Sequence, residues 1–215
     1  MSWRRQVAIV SIVGLIVAPA FYPPLLAFPH VAQSNGDTVY LTAPIHQAAL
    51  DRVTGRANKL VATSPLAAAA EPRKIFLTDG GWRWVWLAVN QSSSLAISRP
   101  LSEAIVINRS DPGADRMKSA FGSRTLSSVI AHEKCHGLER RAFGLSSDFS
   151  KPNWLREGYC DHVAQESTLT DAQAHQLLQA GQTSRALAYW EGRRKVAAEL
   201  ARNGGDVDAL FAGAR

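Results

Sequence analysis

The spacing of apolar positions changes several times along the chain, and each change marks an expected element. In residues 42–63, Ile45, Ala49, Val53, Ala57 and Leu60 recur at helical intervals. Thr42 offers an N-cap, Pro44 suits a first turn, and Ser64-Pro65 stops the helix. Runs of strand composition follow at 74–78, 82–89, 95–98 and 104–108. They are separated by Asp79-Gly80-Gly81, by Asn90-Gln91-Ser92-Ser93-Ser94 and by Arg99-Pro100. In the second run Trp82, Trp84 and Trp86 alternate with Arg83, Val85 and Leu87, which on a strand gives a row of indoles. That row is either a core-packing row or an aromatic platform for substrate. Residues 110–122 read as a polar loop.

A helix is expected from Leu126 through Leu138, free of Gly and Pro at its start, with Gly144 placed to cap its C-terminus. A loop over 145–152 contains Asp148, and Asn153 then caps a second helix over 154–166. Further helices are expected over 171–180 and 185–203, with a short one after Gly204-Gly205. Their apolar residues, among them Leu187, Trp190, Val196 and Phe211, suit the back of a core. The pattern is that of an α+β protein, a helix and small sheet first and a helical part last.

The first thirty residues stand apart. Arg4 and Arg5 precede an uncharged run over 6–29, most apolar over 7–18. Residues 1–30 therefore read either as a signal peptide, with Ala18-Pro19-Ala20 as its cleavage site, or as a signal anchor. Pro19, Pro23 and Pro24 interrupt the second half. The expected location is the membrane, single-pass, with residues 31–215 on the extracytoplasmic side. The alternative is a secreted or periplasmic protein after cleavage. Residues 31–215 form one domain, with a helix and sheet in 31–122 and the chemistry in 123–215.

A composition that is 46% apolar and 20% charged excludes a wholly disordered chain. The net charge is +6, but the arginines are scattered, with no block long enough to form a nucleic-acid arm. No nucleic-acid partner is therefore expected.

The chemistry concentrates in His132-Glu133-Lys134-Cys135-His136. Histidines four apart share a helix face with Cβ atoms about 5–6 Å apart. Two imidazoles there can meet one zinc at about 2.0–2.1 Å each. Glu133 follows the first histidine and sits beside such an ion without having to ligate it. That is where a base must be to take a proton from a metal-activated water. A catalytic zinc needs a third protein ligand, and Glu157, Asp148, Glu139 and Glu166 are the acids within reach along the chain. Cys135 and Cys160, if their helices converge on one ion, are brought close enough to form a disulfide; otherwise they are small buried hydrophobes.

HEKCH followed about twenty residues later by WLREGYCDH resembles the gluzincin metallopeptidases, the thermolysin and aminopeptidase group. The third histidine of the metzincins is missing. The resemblance implies a zincin-like fold: a small mixed sheet packed on the HExxH helix, then a second helix bringing the third ligand. It implies one Zn2+ held by His132, His136 and Glu157, with Glu133 as catalytic base. Asp161, four residues after Glu157, would orient the His132 imidazole, and Tyr159 or His162 would stabilise the transition state. Cys160 stands where the group more often has a small residue, and His162 near where it often has a tyrosine. Residues 104–108 would form the sheet edge above the cleft, to which an extended peptide adds as a strand.

The function expected is that of a zinc peptidase acting on peptides or proteins. The alternative from another class is a membrane-tethered binding or scaffold protein with a non-catalytic zinc site.

Overall fold

A computed structural model of the protein describes residues 3–89, 91–118 and 124–213. The chain opens with helix α1 (Trp3–Phe21) and a 3₁₀ turn at Pro23–Leu26. Two strands, β1 (His30–Ser34) and β2 (Asp37–Leu41), then form a hairpin, followed by helix α2 (Gln47–Val61) and strand β3 (Lys74–Leu77). Helix α3 (Trp82–Ala88) precedes strands β4 (Ala96–Ser98) and β5 (Ile105–Ile107). The sheet order is β1-β2-β3-β5-β4, with the central β2, β3 and β5 parallel and both outer pairs antiparallel. The architecture is α+β around a small mixed sheet.

The register explains the unbroken apolar runs of the central strands. Val39, Ile75 and Ile105 lie side by side, as do Leu41, Leu77 and Ile107, and all face α2 and the helix that follows the sheet. Between these two rows, Tyr40, Phe76 and Val106 face the other way, onto Phe28, Trp84 and Leu87. Both sheet faces are covered, so alternation gives no polar face.

Three expectations fail here for identifiable reasons. Residues 82–88 form a helix, not a strand. Trp84, Leu87 and Ala88 are its buried residues, a spacing of three and four that seats one helix face on the sheet. Trp82 and Trp86 are largely exposed, so there is no indole row. The β1–β2 hairpin lies in a stretch for which no strand was expected, although Asn35-Gly36 between alternating residues is a strong short-range signal for one. Both turn residues have positive φ, 48° and 88°, as a two-residue turn of matching twist requires. Finally, β5 lies inside the sheet, and the edge on that side is β4.

The expected polar loop contains a two-residue ladder, β6 (Ser110–Asp111) with β7 (Arg116–Met117). Its last residues, 119–122, and Asn90 of the earlier turn lie outside the described residues.

The single-pass membrane location is also overturned. Among the described residues no helix is long and apolar enough to cross a membrane. α1 has 19 residues, but Arg4, Arg5 and Gln6 fill its first turn and Pro19 lies within it. What remains falls short of the roughly 20 apolar residues a bilayer core requires.

The second half is helical: α4 (Leu126–Phe143), the short α5 (Ser147–Ser150), α6 (Asn153–Ala164), α7 (Asp171–Gln179), α8 (Arg185–Arg202) and α9 (Val207–Gly213). α4 packs between α2 and α6, and α8 packs on α6. The expected cap Asn153 is the first residue of α6, and Pro152 holds the cap position.

Candidate metal centre

α4 is held at its N-terminus by its own N-cap and by side chains from two other segments. The Thr125 hydroxyl accepts from Ser128 N–H. Asp115 accepts from Ser127 N–H at 2.8 Å and from its hydroxyl at 2.7 Å. Glu166, one of the acids within reach as a ligand, instead accepts from Thr125 N–H and from the Ser128 hydroxyl. A carboxylate there also favours the positive end of the helix dipole. Gly144 ends the helix at φ 82°.

On this anchored helix the two motif histidines project to one side, their ring centroids 4.8 Å apart and nearly perpendicular. α6 brings Glu157 against them: its Oε2 lies 3.2 Å from His132 Nε2 and 3.7 Å from His136 Nε2. The donor atoms of His132, His136 and Glu157 all lie within 4.8 Å of one another. Glu139 and Asp148 do not join them. Asp148 lies 3.5 Å from both Arg140 Nη1 and Arg156 Nη2.

The far side of each imidazole is held by a carboxylate. His132 Nδ1 is 2.7 Å from Asp161 Oδ1, and Asp161 is itself bound by Arg124 Nη1 at 2.9 Å and by the Ser167 hydroxyl at 2.7 Å. This is the orienting contact expected of Asp161. His136 Nδ1 is 3.1 Å from Glu139 Oε2, a second such contact that the sequence reading missed. The i,i+3 spacing within one helix could have revealed it. With both Nδ1 positions engaged, both Nε2 atoms face the Glu157 carboxylate. Two imidazole nitrogens and one carboxylate, each ring held by its outer partner, form a donor set able to hold a metal ion.

Burial is the largest influence on these groups, and their mutual charges oppose it. It works against the imidazolium of His132, but the Asp161 contact outweighs it and the pKa rises. It works likewise against His136, whose pKa is held well above the ordinary value by Glu157 and Glu139. Burial would raise Glu157, yet the two histidines hold its carboxyl well below the usual range. Glu133, beside them and largely buried, is raised by burial.

The side chains of His132, His136 and Glu157 open into a cavity of about 740 Å³. Glu133 lines it with them, together with the edge strand β4, Arg156, Arg185 and Tyr189. Neither expected transition-state stabiliser lines it. The Tyr159 hydroxyl is 2.7 Å from that of Ser64 and its ring packs edge-on against Phe211, on the opposite side of α6. His162 is half-buried beside Arg193. Tyr189, from α8, lines the cavity instead. Its hydroxyl accepts a hydrogen bond from Arg185 Nε at 2.7 Å, and burial, then the charge of Glu157, push its pKa up to about 12.

Tyr189 reaches the cavity because α6 and α8 cross closely at Gly158 and Gly192. A Cβ on Gly158 would overlap the Gly192 carbonyl group, and one on Gly192 would sit 2.8 Å from the Trp154 carbonyl oxygen. Backbone cannot move aside as a rotamer can. Gly158→Ala is expected to cost about 1–3 kcal/mol in urea unfolding.

Cys135 and Cys160 form a disulfide between α4 and α6, with Cα atoms 5.3 Å apart. Cys160 Sγ lies 3.5 Å from His136 Nδ1, so the bridge ties the two ligand-bearing helices directly behind the site. The two sulfurs and Glu139 also lie within metal-binding distance of one another, but the bridge consumes both thiolates. Titration of unfolded, unreduced protein should find no reactive thiol. For a separation of 25 residues, reduction should lower stability by about 3 kcal/mol.

Comparison of the chain with protein-family models, with curated proteins and with solved structures finds no match.

Proposed function

We propose that the protein is a zinc-dependent peptidase of zincin-like fold. The observation that carries this reading is the convergence of His132, His136 and Glu157 in the lining of an open cavity, with the carboxylate of Glu133 beside them and outside the donor set.

A zinc ion held by these three residues would polarise the scissile carbonyl and bring the pKa of a water from 15.7 to about 7. The chain supplies the rest. Glu133 takes the proton of the attacking water and passes it to the leaving amine, and its burial raises its proton affinity for that task. The Tyr189 hydroxyl accepts from Arg185, which leaves its own proton free to donate to the oxyanion. Asp161 and Glu139 keep both imidazoles oriented as the charge shifts. The edge strand β4 offers unpaired backbone groups along the cavity wall, where an extended peptide adds antiparallel or parallel to Ala96, Ile97 and Ser98.

The test is metal content together with hydrolysis. Purified protein should carry about one zinc per chain and cleave unstructured peptides. A chelator should abolish cleavage and added zinc restore it. Glu157→Gln should weaken zinc retention by more than about 100-fold, beyond the 10–100-fold typical of losing an outer partner. A metal-free protein, or a loaded one that cleaves no peptide, overturns the proposal.

A further inference from the structure

We propose that the cleft selects peptides bearing a carboxylate beside the bond to be cut, and that Arg156 and Arg185 receive it. The inference rests on the peptidase reading and names its substrate class.

Among the described residues, four arginines line the cavity, against three carboxylates. Two of these carboxylates, Glu133 and Glu157, are committed to the reaction and to the metal. The third, Asp148, is shared at 3.5 Å between Arg140 and Arg156. Arg140 is otherwise satisfied, by Glu103 at 3.0 Å and the Ser98 hydroxyl at 2.6 Å. The other three arginines are not.

Arg124 is only 5% exposed. Its Nη1 reaches Asp161, while its Nε and Nη2 are buried with no acceptor among the described residues, so it adds positive charge behind the cleft without itself meeting substrate. The Nε of Arg156, on the residue before Glu157, is likewise buried and unmatched. Arg185 is exposed, and its one hydrogen-bond partner among the described residues is the neutral hydroxyl of Tyr189, so its charge faces the cleft without a carboxylate of its own.

A guanidinium removed from water without an acceptor is costly, and buried donors in folded proteins are nearly always matched. Arg156 and Arg185 line the same cavity as His132, His136 and Glu157. The group that matches them is planar, anionic and able to take two parallel N–H bonds, which describes a carboxylate. In a peptide it comes from an Asp or Glu side chain or from the free C-terminus. A cation bound by these donors adds to the same field, so the selection is for negative charge.

The experiment uses full-length, zinc-loaded Glu133→Gln protein, which binds peptide with turnover slowed about 10²–10⁴-fold. Dissociation constants are measured by calorimetry for three five-residue alanine-rich peptides. One has a central Gln and both ends blocked, the second replaces that Gln by Glu, and the third keeps Gln but frees the C-terminal carboxylate. At least one carboxylate peptide should bind about 10- to 100-fold tighter than the first, the range expected of a charged hydrogen-bonded pair. The one that does so identifies the source of the carboxylate. The advantage should shrink in 0.5 M salt and vanish when Arg156→Gln and Arg185→Gln are added.

Equal affinities for all three peptides, no binding of any of them, or an advantage that survives both arginine changes overturns the inference. Wild-type cleavage of the blocked Gln peptide is scored separately. Turnover without charge preference leaves the peptidase reading standing and removes only this one.

Discussion

Glu133→Gln should lower turnover about 10²–10⁴-fold and leave zinc in place. The substitution keeps the volume and shape of a largely buried side chain and removes only its ability to accept a proton. Glu133 is absent from the converging donor set, so metal content should match wild type. General-base catalysis by a positioned side chain contributes typically about 10²–10⁴-fold. A fall of that size in kcat, with one zinc still bound, is therefore expected. The same pair of measurements separates the peptidase from a protein that holds zinc only as a structural element, because in such a protein Glu133 has no work to do and its loss changes nothing. Equal kcat for the two forms removes Glu133 as the base. Loss of zinc along with activity would place it among the ligands, contrary to the geometry.

How far the site could be read from sequence depends on how local each contact is. His132 and His136 meet because they are four apart on one helix, and that spacing is written in the chain. Asp161 follows Glu157 by the same interval, so placing one places the other. Helical geometry also argues against Tyr159: two residues after Glu157 it lies about 200° around α6, and it does point away, to Ser64. Tyr189 is a different case. It sits on another helix, thirty-two residues beyond Glu157 in number, and reaches the cavity only through the glycine crossing of α6 on α8. No local pattern marks it.

The fold divides in the same way. β3, β4 and β5 were legible as short apolar runs. Residues 82–88 were not, because alternating tryptophans imitate a strand when the buried positions follow helical spacing. The α+β architecture was legible, whereas the edge position of β4 depends on pairings between strands far apart in sequence.

Breaking the ion pair between Lys134 and Asp37 should cost about 3–5 kcal/mol. Lys134 lies inside the metal motif but two residues from each histidine, on the opposite face of α4, and its side chain runs into the body of the protein. Its ammonium sits 2.8 Å from both carboxylate oxygens of Asp37, 2.6 Å from Asn58 Oδ1 and 2.9 Å from the Glu71 carbonyl. Both charged side chains are wholly buried. Burial raises the pKa of Asp37 and lowers that of Lys134, each against the pull of its partner, so each charge is tolerated only while the other is present. Lys134→Met leaves Asp37 with the Arg73 N–H as its remaining donor, and Asp37→Asn leaves an uncompensated ammonium. With a urea slope of about 2 kcal/mol/M, either change should lower the unfolding midpoint by about 1.5–2.5 M. Removing both charges with apolar side chains of similar volume should cost less than either single change, because no lone buried charge remains. An additive loss in the double variant would show that the pair acts only as two independent packing groups. The contact joins the β1–β2 hairpin to the helix that carries the metal histidines. The single variants should therefore lose zinc at lower urea than wild type, in step with the loss of the fold.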